Sequence, residues 1–393
     1  MPTLFLIVFV DLVGFGVIIP LLPFYGEHFQ ASPATVGLLM ATYSFAQFLS
    51  APVLGRLSDR IGRKPVLSVS LAGAAASYLL LAFASELWML FAARGIGGLM
   101  AGNISTAFAY VADVTTPAGR AKGMGLIGAA FGLGFIFGPA IGGVLAGNDP
   151  ASADFRSPAL AAFALSGLSL VLCLTVLKES LTPEVRARHG SGSTGRWRWL
   201  QRALADRGVR LILIMSFLAT FVFAGMETTF AMWSRRQFGW GPEQNGYLFA
   251  FVGLLTALIQ GGLVGRLAKS FGERRLVAAG SLLLALGMLL IAVSASLWLL
   301  LVAMAAVAAG FSMVTPALNS LLSLQVDASA QGGMMGLARS ATTMARILGP
   351  GFAGAIFTLL GKDWPFYAGA LIMVVVMLMA ARPAAATAAE AEP

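Results

Sequence analysis

Long apolar runs alternate with short polar connections along the whole chain. Each run is about 20 residues long, the length that an α-helix needs to cross the hydrocarbon core of a bilayer. The pattern predicts an all-α membrane protein with twelve transmembrane helices. We place these helices at 4–24, 34–55, 66–84, 86–111, 121–146, 157–177, 210–233, 243–265, 275–293, 296–323, 333–360 and 364–381.

The composition agrees with this pattern and excludes a soluble globular protein. Of the residues, 58% are hydrophobic and 11% are charged, whereas a soluble domain has roughly 25% charged residues. Neither a nucleophile–base set nor a GxxxxGK[ST] phosphate loop stands out, so we expect neither an enzyme nor an ATP-driven pump. The one cysteine, Cys173, and two histidines do not indicate a metal site.

The net charge of +9 is concentrated in a few connections. Of the 26 Lys and Arg residues, 18 lie in four segments: 55–65, 120–122, 178–210 and 265–275. These segments follow predicted helices 2, 4, 6 and 8, which is the positive-inside pattern of cytoplasmic loops. An even number of helices then places both termini in the cytoplasm. The distribution favours a lipid bilayer over a nucleic acid as partner, although Arg235 and Arg236 depart from it.

The longest polar segment, 178–209, divides the chain into two sets of six predicted helices, 1–177 and 210–382. The tail at 383–393 is rich in alanine and is expected to be disordered. Trp and Arg mix at 196–204, which indicates either a helix on the membrane surface or a flexible linker.

The two halves contain an internal repeat. Gly-Arg-Leu opens the segments 55–64 and 265–275, and a second Gly follows at the same spacing in both. Gly138-Pro139 and Gly349-Pro350 lie at similar depths in predicted helices 5 and 11. Pseudo-symmetric halves of this kind are typical of a large class of secondary transporters.

Four motifs occur in order, each in its expected helix. They are Asp11-x-x-Gly14-x-Gly16-x-x-x-Pro20-x-x-Pro23, the segment 55–65, Arg94-Gly95-x-Gly97 and Gly134-x-x-x-Gly138-Pro139-x-x-Gly142-Gly143. With them the whole chain resembles the drug:proton antiporter branch of the major facilitator superfamily, and particularly the tetracycline exporters. The resemblance implies the major facilitator fold, a bacterial inner-membrane location, function as a monomer, and a proton gradient as energy source without a cofactor.

The segment 55–65 resembles the gate motif of this superfamily, which ties the two halves together in the outward-facing state. The resemblance implies a partner for Asp59 near the start of predicted helix 11, around 331–333, and the pair Arg63–Asp113. A cytoplasmic loop whose basic residues only fix topology is the alternative. The gate residues implied are Gly55, Asp59, Arg60, Gly62, Arg63, Lys64 and Asp113.

The motif in predicted helix 5 resembles the antiporter motif of the same branch. Glycines spaced by four present one flat face for close helix packing, and a proline weakens the helix locally. We expect a close, slightly bent contact that resists leak, of which ordinary close packing is a part. The motif residues are Gly134, Gly138, Pro139, Gly142 and Gly143.

Charged groups inside predicted spans are functional candidates because burying a charge in a membrane is costly. Asp11 and Glu227 are the only carboxyl groups well inside spans, so we expect one or both to carry the exchanged proton, and Arg94 and Arg346 are further candidates for proton coupling. Because Asp11 and Arg94 lie at different depths, we do not assume a direct pair between them. A Glu227–Arg346 pair is one hypothesis. For Asp11 the alternative is a hydrogen bond between packed helices, and for Arg94 a structural ion pair. Arg339 lies close enough to the cytoplasmic end to reach water.

Several polar and aromatic residues of the spans are candidates for the substrate cavity, although in a protein this apolar such residues are more often packing residues. They are Tyr43, Phe45, Gln47, Asn103, Met226 and Trp233. The chain departs from tetracycline exporters at Ser77, where they carry an aspartate, and in having no acidic residue at 276–325.

Together these features predict proton-coupled efflux of a small amphiphilic or drug-like compound by alternating access. One alternative is a proton symporter or uniporter for a metabolite. Another, from a different class, is a non-transporting receptor or scaffold with the same fold.

Overall fold

A computed structural model describes residues 1–181, 205–325 and 331–381. In this part of the chain twelve helices are long and apolar enough to cross a membrane, which confirms the predicted fold class. The predicted surface helix at 196–204 and the tail at 383–393 lie outside the described residues. The helices are α1 (Pro2–His28), α2 (Pro33–Ile61), α3 (Arg63–Ala82), α4 (Leu87–Val114), α5 (Pro117–Ala146), α6 (Arg156–Thr175), α7 (Arg207–Phe238), α8 (Pro242–Phe271), α9 (Glu273–Val293), α10 (Leu297–Leu324), α11 (Gln331–Leu360) and α12 (Trp364–Ala381).

Three of the helices change their winding part of the way along. A 3₁₀ turn at Ile19–Leu21 interrupts α1, where Pro20 lacks a backbone N–H. In α4 the helix is broken between Leu99 and Asn103, although the sequence predicted one continuous helix there. In α8 a π-turn spans Ile259–Leu263.

The gate segment is helical over most of its length, which corrects the prediction that the second helix ends at residue 55. Residues 55–61 form the last turns of α2, and α3 begins at Arg63. Their charged side chains resembled a loop in the sequence, but a helix that extends out of the bilayer can carry such residues into water. Only Gly62, with φ of +115°, makes the turn.

The second copy of the repeat turns in the same way. Gly272, with φ of +78°, separates α8 from α9. Glycine adopts positive φ without strain. The second glycine of the repeat therefore has the same backbone role in both copies.

The helices are distributed over two compact units that do not coincide with the sequence halves. One unit contains the described residues of 1–192, 224–257 and 346–365; the other contains those of 193–223, 258–345 and 366–393. In the first unit α1 packs against α5 and α6, α3 against α6, and α2 against α4. In the second unit α9 packs along α10, where a Cβ atom on Gly310 would lie 2.6 Å from the Gly280 carbonyl oxygen.

The first unit has an apolar cluster at each end. We call the end at which α1 begins the near end, and the end at which α1 finishes the far end. Leu4, Leu67 and Val111 belong to the near-end cluster. Leu22 and Leu90 belong to the apolar cluster at the far end.

Candidate functional site

Asp11 is buried in α1 and accepts hydrogen bonds from two other helices. Ser166 of α6 donates from Oγ to Oδ1 at 2.6 Å, and Asn103 of α4 donates from Nδ2 to Oδ2. Asn103 begins the second part of α4, so the break in that helix places its amide beside α1. Asn103, predicted to line the cavity, therefore binds the Asp11 carboxylate.

Arg94 of α4 is a buried cation held against an aromatic ring. Arg94 is 5% exposed, and its guanidinium carbon lies 4.3 Å from the centre of the Tyr43 ring. Glycine at position 98 allows α4 to lie this close to α2, because a Cβ atom on Gly98 would lie 2.3 Å from the Tyr43 carbonyl oxygen. The Gly-rich segment after Arg94 thus lets α4 and α2 touch through their backbones.

Arg94 lacks the structural ion pair that the sequence left open. Among the described residues its Nε has no hydrogen-bond partner, and no carboxylate oxygen lies within 4.0 Å of its nitrogens. The guanidinium does interact electrostatically at longer range with Glu227.

Glu227 of α7 forms the predicted pair with Arg346 of α11. Arg346 Nη1 lies 3.6 Å from Glu227 Oε2, a longer separation than a good hydrogen bond. The glutamate side chain is 9% exposed and that of the arginine 42% exposed. The first unit thus brings together one buried carboxylate and two arginines.

The other cavity candidates occupy three different surroundings. Gln47 donates from Nε2 to the Ala101 carbonyl oxygen at 3.5 Å, beside the break in α4. Phe45 is exposed, whereas Met226 and Trp233 are buried. The indole of Trp233 donates to Asp363 Oδ1 at 2.8 Å. Met226 and Trp233 are buried in this conformation, and their place in a substrate cavity stays a prediction.

The gate motif has Arg63 at its centre. Its Nε donates to Asp113 Oδ2 at 2.8 Å, which confirms the predicted pair. Its Nη1 donates to Ser58 Oγ at 2.7 Å and to Asp59 Oδ1 at 2.5 Å. Asp59 thus has a partner in α3. The partner predicted for it at 331–333 belongs to the other unit and stays a prediction.

Glu179, which the sequence did not point to, belongs to the same network. Its carboxylate accepts from the backbone N–H groups of Arg63 at 2.9 Å and Lys64 at 3.0 Å, the first residues of α3. It accepts also from Ser180 and Leu181. Burial raises the pKa of Glu179, but these four N–H donors outweigh burial and hold the pKa below its usual range.

The antiporter motif makes two close helix contacts rather than one. On one face of α5, a Cβ atom on Gly138 would lie 2.6 Å from Gly16, and one on Gly142 would lie 2.3 Å from the Val17 carbonyl oxygen. On another face, a Cβ atom on Gly143 would lie 2.8 Å from the Pro242 carbonyl oxygen. Glycine therefore lets α5 touch both α1 and α8.

Pro139 contributes to the contact with α8. Because proline has no N–H, the carbonyl of Phe135 loses its helical hydrogen bond. That carbonyl oxygen would lie 2.8 Å from a Cβ atom on Gly253 of α8, and the Pro139 oxygen 2.4 Å from one on Gly246.

An equivalent contact joins α2 and α11 at the far end. A Cβ atom on Gly37 would lie 2.3 Å from the Pro350 carbonyl oxygen, and one on Gly354 would lie 2.3 Å from the Pro33 oxygen. Ala34 donates from its backbone N–H to Thr358 Oγ1 at 3.1 Å. Pro139 and Pro350, which the repeat relates, thus occupy equivalent helix contacts.

An ion-pair cluster lies beside these contacts, and we call its three residues, Glu27, Arg235 and Arg236, the far-end cluster. Arg235 and Arg236 of α7 donate from Nη1 to the Glu27 carboxylate of α1 at 3.1 and 2.8 Å. The Arg236 guanidinium also lies 4.9 Å from the centre of the Phe357 ring of α11. The two arginines that depart from the charge pattern of the sequence thus join three helices.

Twelve membrane-length helices, a repeated gate segment and buried charges between helices define a multi-span membrane transporter. The family model of the Major Facilitator Superfamily matches residues 4–269 and 261–392. The chain belongs to this superfamily, as its motifs predicted.

Individual relatives cover nearly the whole chain. It is 34% identical to Tetracycline resistance protein, class C, of Escherichia coli, over 90% of this chain and 88% of that one. It is 30% identical to Multidrug resistance protein 2 of Bacillus subtilis, over 94% of this chain and 91% of the relative. The crystal structure of the human organic anion transporter MFSD10 is similar, with a TM-score of 0.72, 28% identity, and coverage of 96% of this chain and 98% of that chain.

Proposed function

We propose that this chain is a proton-coupled exporter of small amphiphilic compounds that works by alternating access in a bacterial inner membrane. The near end, which carries the gate motif and most of the basic connections, is assigned to the cytoplasm. The relatives support efflux over the alternatives, because they include tetracycline and multidrug resistance proteins.

The observation that carries this proposal is that Asp11 and Glu227, the two candidate proton carriers, depend on donors from other helices. Asp11 of α1 depends on α4 and α6, and Glu227 of α7 depends on α11. The proton affinity of a carboxylate depends on its neighbouring charges, its hydrogen bonds and its hydration. When helices move relative to one another, these neighbours change, so a proton taken up on one side can be released on the other.

The substrate class follows from the relatives and from one departure. Tetracyclines are the first compounds to test, because of the similarity to the tetracycline resistance proteins. Ser77, where tetracycline exporters carry an aspartate, argues for a wider or different range of amphiphiles.

Transport in proteoliposomes tests the proposal. An imposed pH gradient should drive tetracycline or tetraphenylphosphonium against proton flow with the wild type. Glu227→Gln should abolish this accumulation while exchange of labelled for unlabelled substrate, which needs no proton, continues. Asp11→Asn tests the second carboxylate in the same way. Glu86→Gln is the matched control, because the Glu86 carboxylate is exposed and accepts a hydrogen bond from the indole of Trp88. Undiminished accumulation in both acid variants would remove Asp11 and Glu227 from proton coupling.

A further inference from the structure

Arg94, which has no ion-pair partner among the described residues, points to a bound group of opposite charge. Removing a cation from water without a partner costs several kcal/mol, and ionisable groups inside membrane spans mark functional sites such as substrate and ion pathways. Tyr43 supports one face of the guanidinium at 4.3 Å. Its Nε finds no partner among the described residues. A carboxylate from outside the chain would supply the missing acceptor, and arginine suits it because its N–H groups bind both oxygens.

Glu227 supplies the opposite charge, and its present partner is held weakly. The single contact to Arg346 is 3.6 Å long, and the Arg346 side chain is 42% exposed. Because water competes with Glu227 for an arginine side chain this exposed, another cation can replace Arg346 as the partner of Glu227. Arg94 and Arg346 are the charged groups that act on Glu227 in the described part of the chain.

We propose that Arg94 and Glu227 bind the two ends of a zwitterionic amphiphile. The acidic group binds Arg94, whose guanidinium Tyr43 holds in place, and the protonated amine binds Glu227. This assignment rests on the proposed function and names its substrate class. An ammonium group and a proton compete for the same carboxylate, so the substrate amine binds the ionised Glu227, and a Glu227 that is protonated gives up its proton to water when the substrate binds. Proton and substrate therefore occupy the site in turn, as exchange requires.

Compounds with one charge use the site less well. A simple anion at Arg94 would add negative charge near Glu227 and favour its protonated form, so that substrate and proton would bind together. A simple cation at Glu227 would leave Arg94 unpaired. The zwitterion satisfies both groups and still displaces the proton.

Binding of matched probes to the purified full chain tests this. The zwitterions are para-(aminomethyl)benzoate and its longer biphenyl homologue, which span two charge separations. Each is compared with its carboxamide, which is a cation, and with its N-acetyl derivative, which is an anion. Calorimetry in two buffers of different ionisation enthalpy gives both the affinity and the number of protons released.

We expect the wild type to bind the better-fitting zwitterion at least tenfold more tightly than either singly charged analogue, with release of protons. Arg94→Gln should lower the affinity for the zwitterion to the affinity for the cation. Glu227→Gln should lower the affinity for the zwitterion to the affinity for the anion, and it should abolish the proton release. Arg156→Gln is the matched control, because the Arg156 guanidinium also stacks on an aromatic ring, Phe83 at 4.5 Å, but is exposed.

The wild-type comparison alone can overturn the proposal, even if a variant fails to fold. Equal affinity for zwitterion, cation and anion would overturn it, as would a zwitterion preference that survives Arg94→Gln. The proposed function fails separately. If a proton gradient drives tetraphenylphosphonium but no zwitterion is preferred, the proposed export function is supported and the zwitterion site is refuted. If zwitterion binding depends on Arg94 but a proton gradient drives no probe, the site is supported and the proposed export function is refuted.

Discussion

Arg63 and Asp113 form a buried ion pair at the near end, 2.8 Å apart with 2% of either side chain exposed. The second carboxylate on Arg63, that of Asp59, is 45% exposed. The same guanidinium thus has one partner in the protein interior and one at the surface. Neutralising the buried carboxylate should therefore affect mainly stability, and neutralising the exposed one should affect mainly transport.

Asp113→Asn should lower the free energy of unfolding by about 3 kcal/mol, because it leaves a buried arginine with one carboxylate fewer. Asp59→Asn should lower it by less than about 1 kcal/mol, as expected for a solvent-exposed pair, yet should strongly reduce transport. Thermal unfolding of the purified protein and transport in proteoliposomes measure the two effects. A fully active Asp59→Asn would reduce the segment 55–65 to a topology signal.

The glycines of α5 allow a test within one helix. Gly142→Ala should destabilise the protein by about 1–3 kcal/mol, because its Cβ atom would overlap the Val17 carbonyl oxygen and force α1 away from α5. Gly132→Ala is the control, since nothing lies within 4 Å of its Cβ position. There alanine should be neutral or stabilising by up to about 1 kcal/mol, from helix propensity. Similar unfolding temperatures for the two variants would contradict the close contact.

The sequence predicts well those features that are set by the free-energy cost of placing polar or charged groups inside a membrane. Apolar length identified the twelve helices, because a span needs a fixed number of apolar residues. The pair Glu227–Arg346 was foreseen because charges inside spans are few and need partners. The pair Arg63–Asp113 was implied by the resemblance of the segment 55–65 to the gate motif of the superfamily. Glycine spacing foresaw the contact of α5, but not that it involves two helices, since spacing does not say which face meets which neighbour.

Other features depend on tertiary packing and have no local signal. Glu179 lies 116 positions from the N–H group of Arg63 that it binds. The break in α4 falls at Gly102, but the surrounding apolar pattern is continuous. Arg235 and Arg236 contradicted the charge pattern, and that exception was the one sequence signal of the far-end cluster.

Glu179 should make the near end sensitive to acid. Its pKa is lowered in the folded protein, because four N–H donors outweigh burial. A lowered carboxyl pKa contributes stability that is fully present above the unfolded value, about 4.3, and is lost as pH falls through the folded value.

Glu179→Gln should therefore lower the unfolding temperature at neutral pH, and the difference from the wild type should shrink below about pH 4.3. Thermal unfolding of the purified protein between neutral pH and this range measures it. Glu86→Gln, which removes an exposed carboxylate from the far end, is the control. A difference that stays constant as the pH falls would show that Glu179 acts by packing alone.

Glu27 of the far-end cluster should control how readily the far end opens. It binds Arg235 and Arg236 while the glycine contact of α2 with α11 is closed. Glu27→Gln should weaken the closed arrangement and raise the rate at which a membrane-impermeant maleimide labels Ala34→Cys from outside, in a Cys173→Ser background. Ala34 suits this measurement because its backbone is bonded to Thr358 across the closed contact.

Arg236→Gln should accelerate this labelling more than Arg235→Gln, because Arg236 makes the shorter contact to Glu27 and also lies over Phe357 of α11. Arg156→Gln should change nothing, since it removes an exposed far-end arginine that is not part of the cluster. Increased salt should accelerate labelling of the wild type and have less effect on Glu27→Gln, because screening weakens a partly exposed ion pair. Equal labelling rates in the wild type, Glu27→Gln, Arg235→Gln and Arg236→Gln would mean that the glycine contacts alone hold the far end closed.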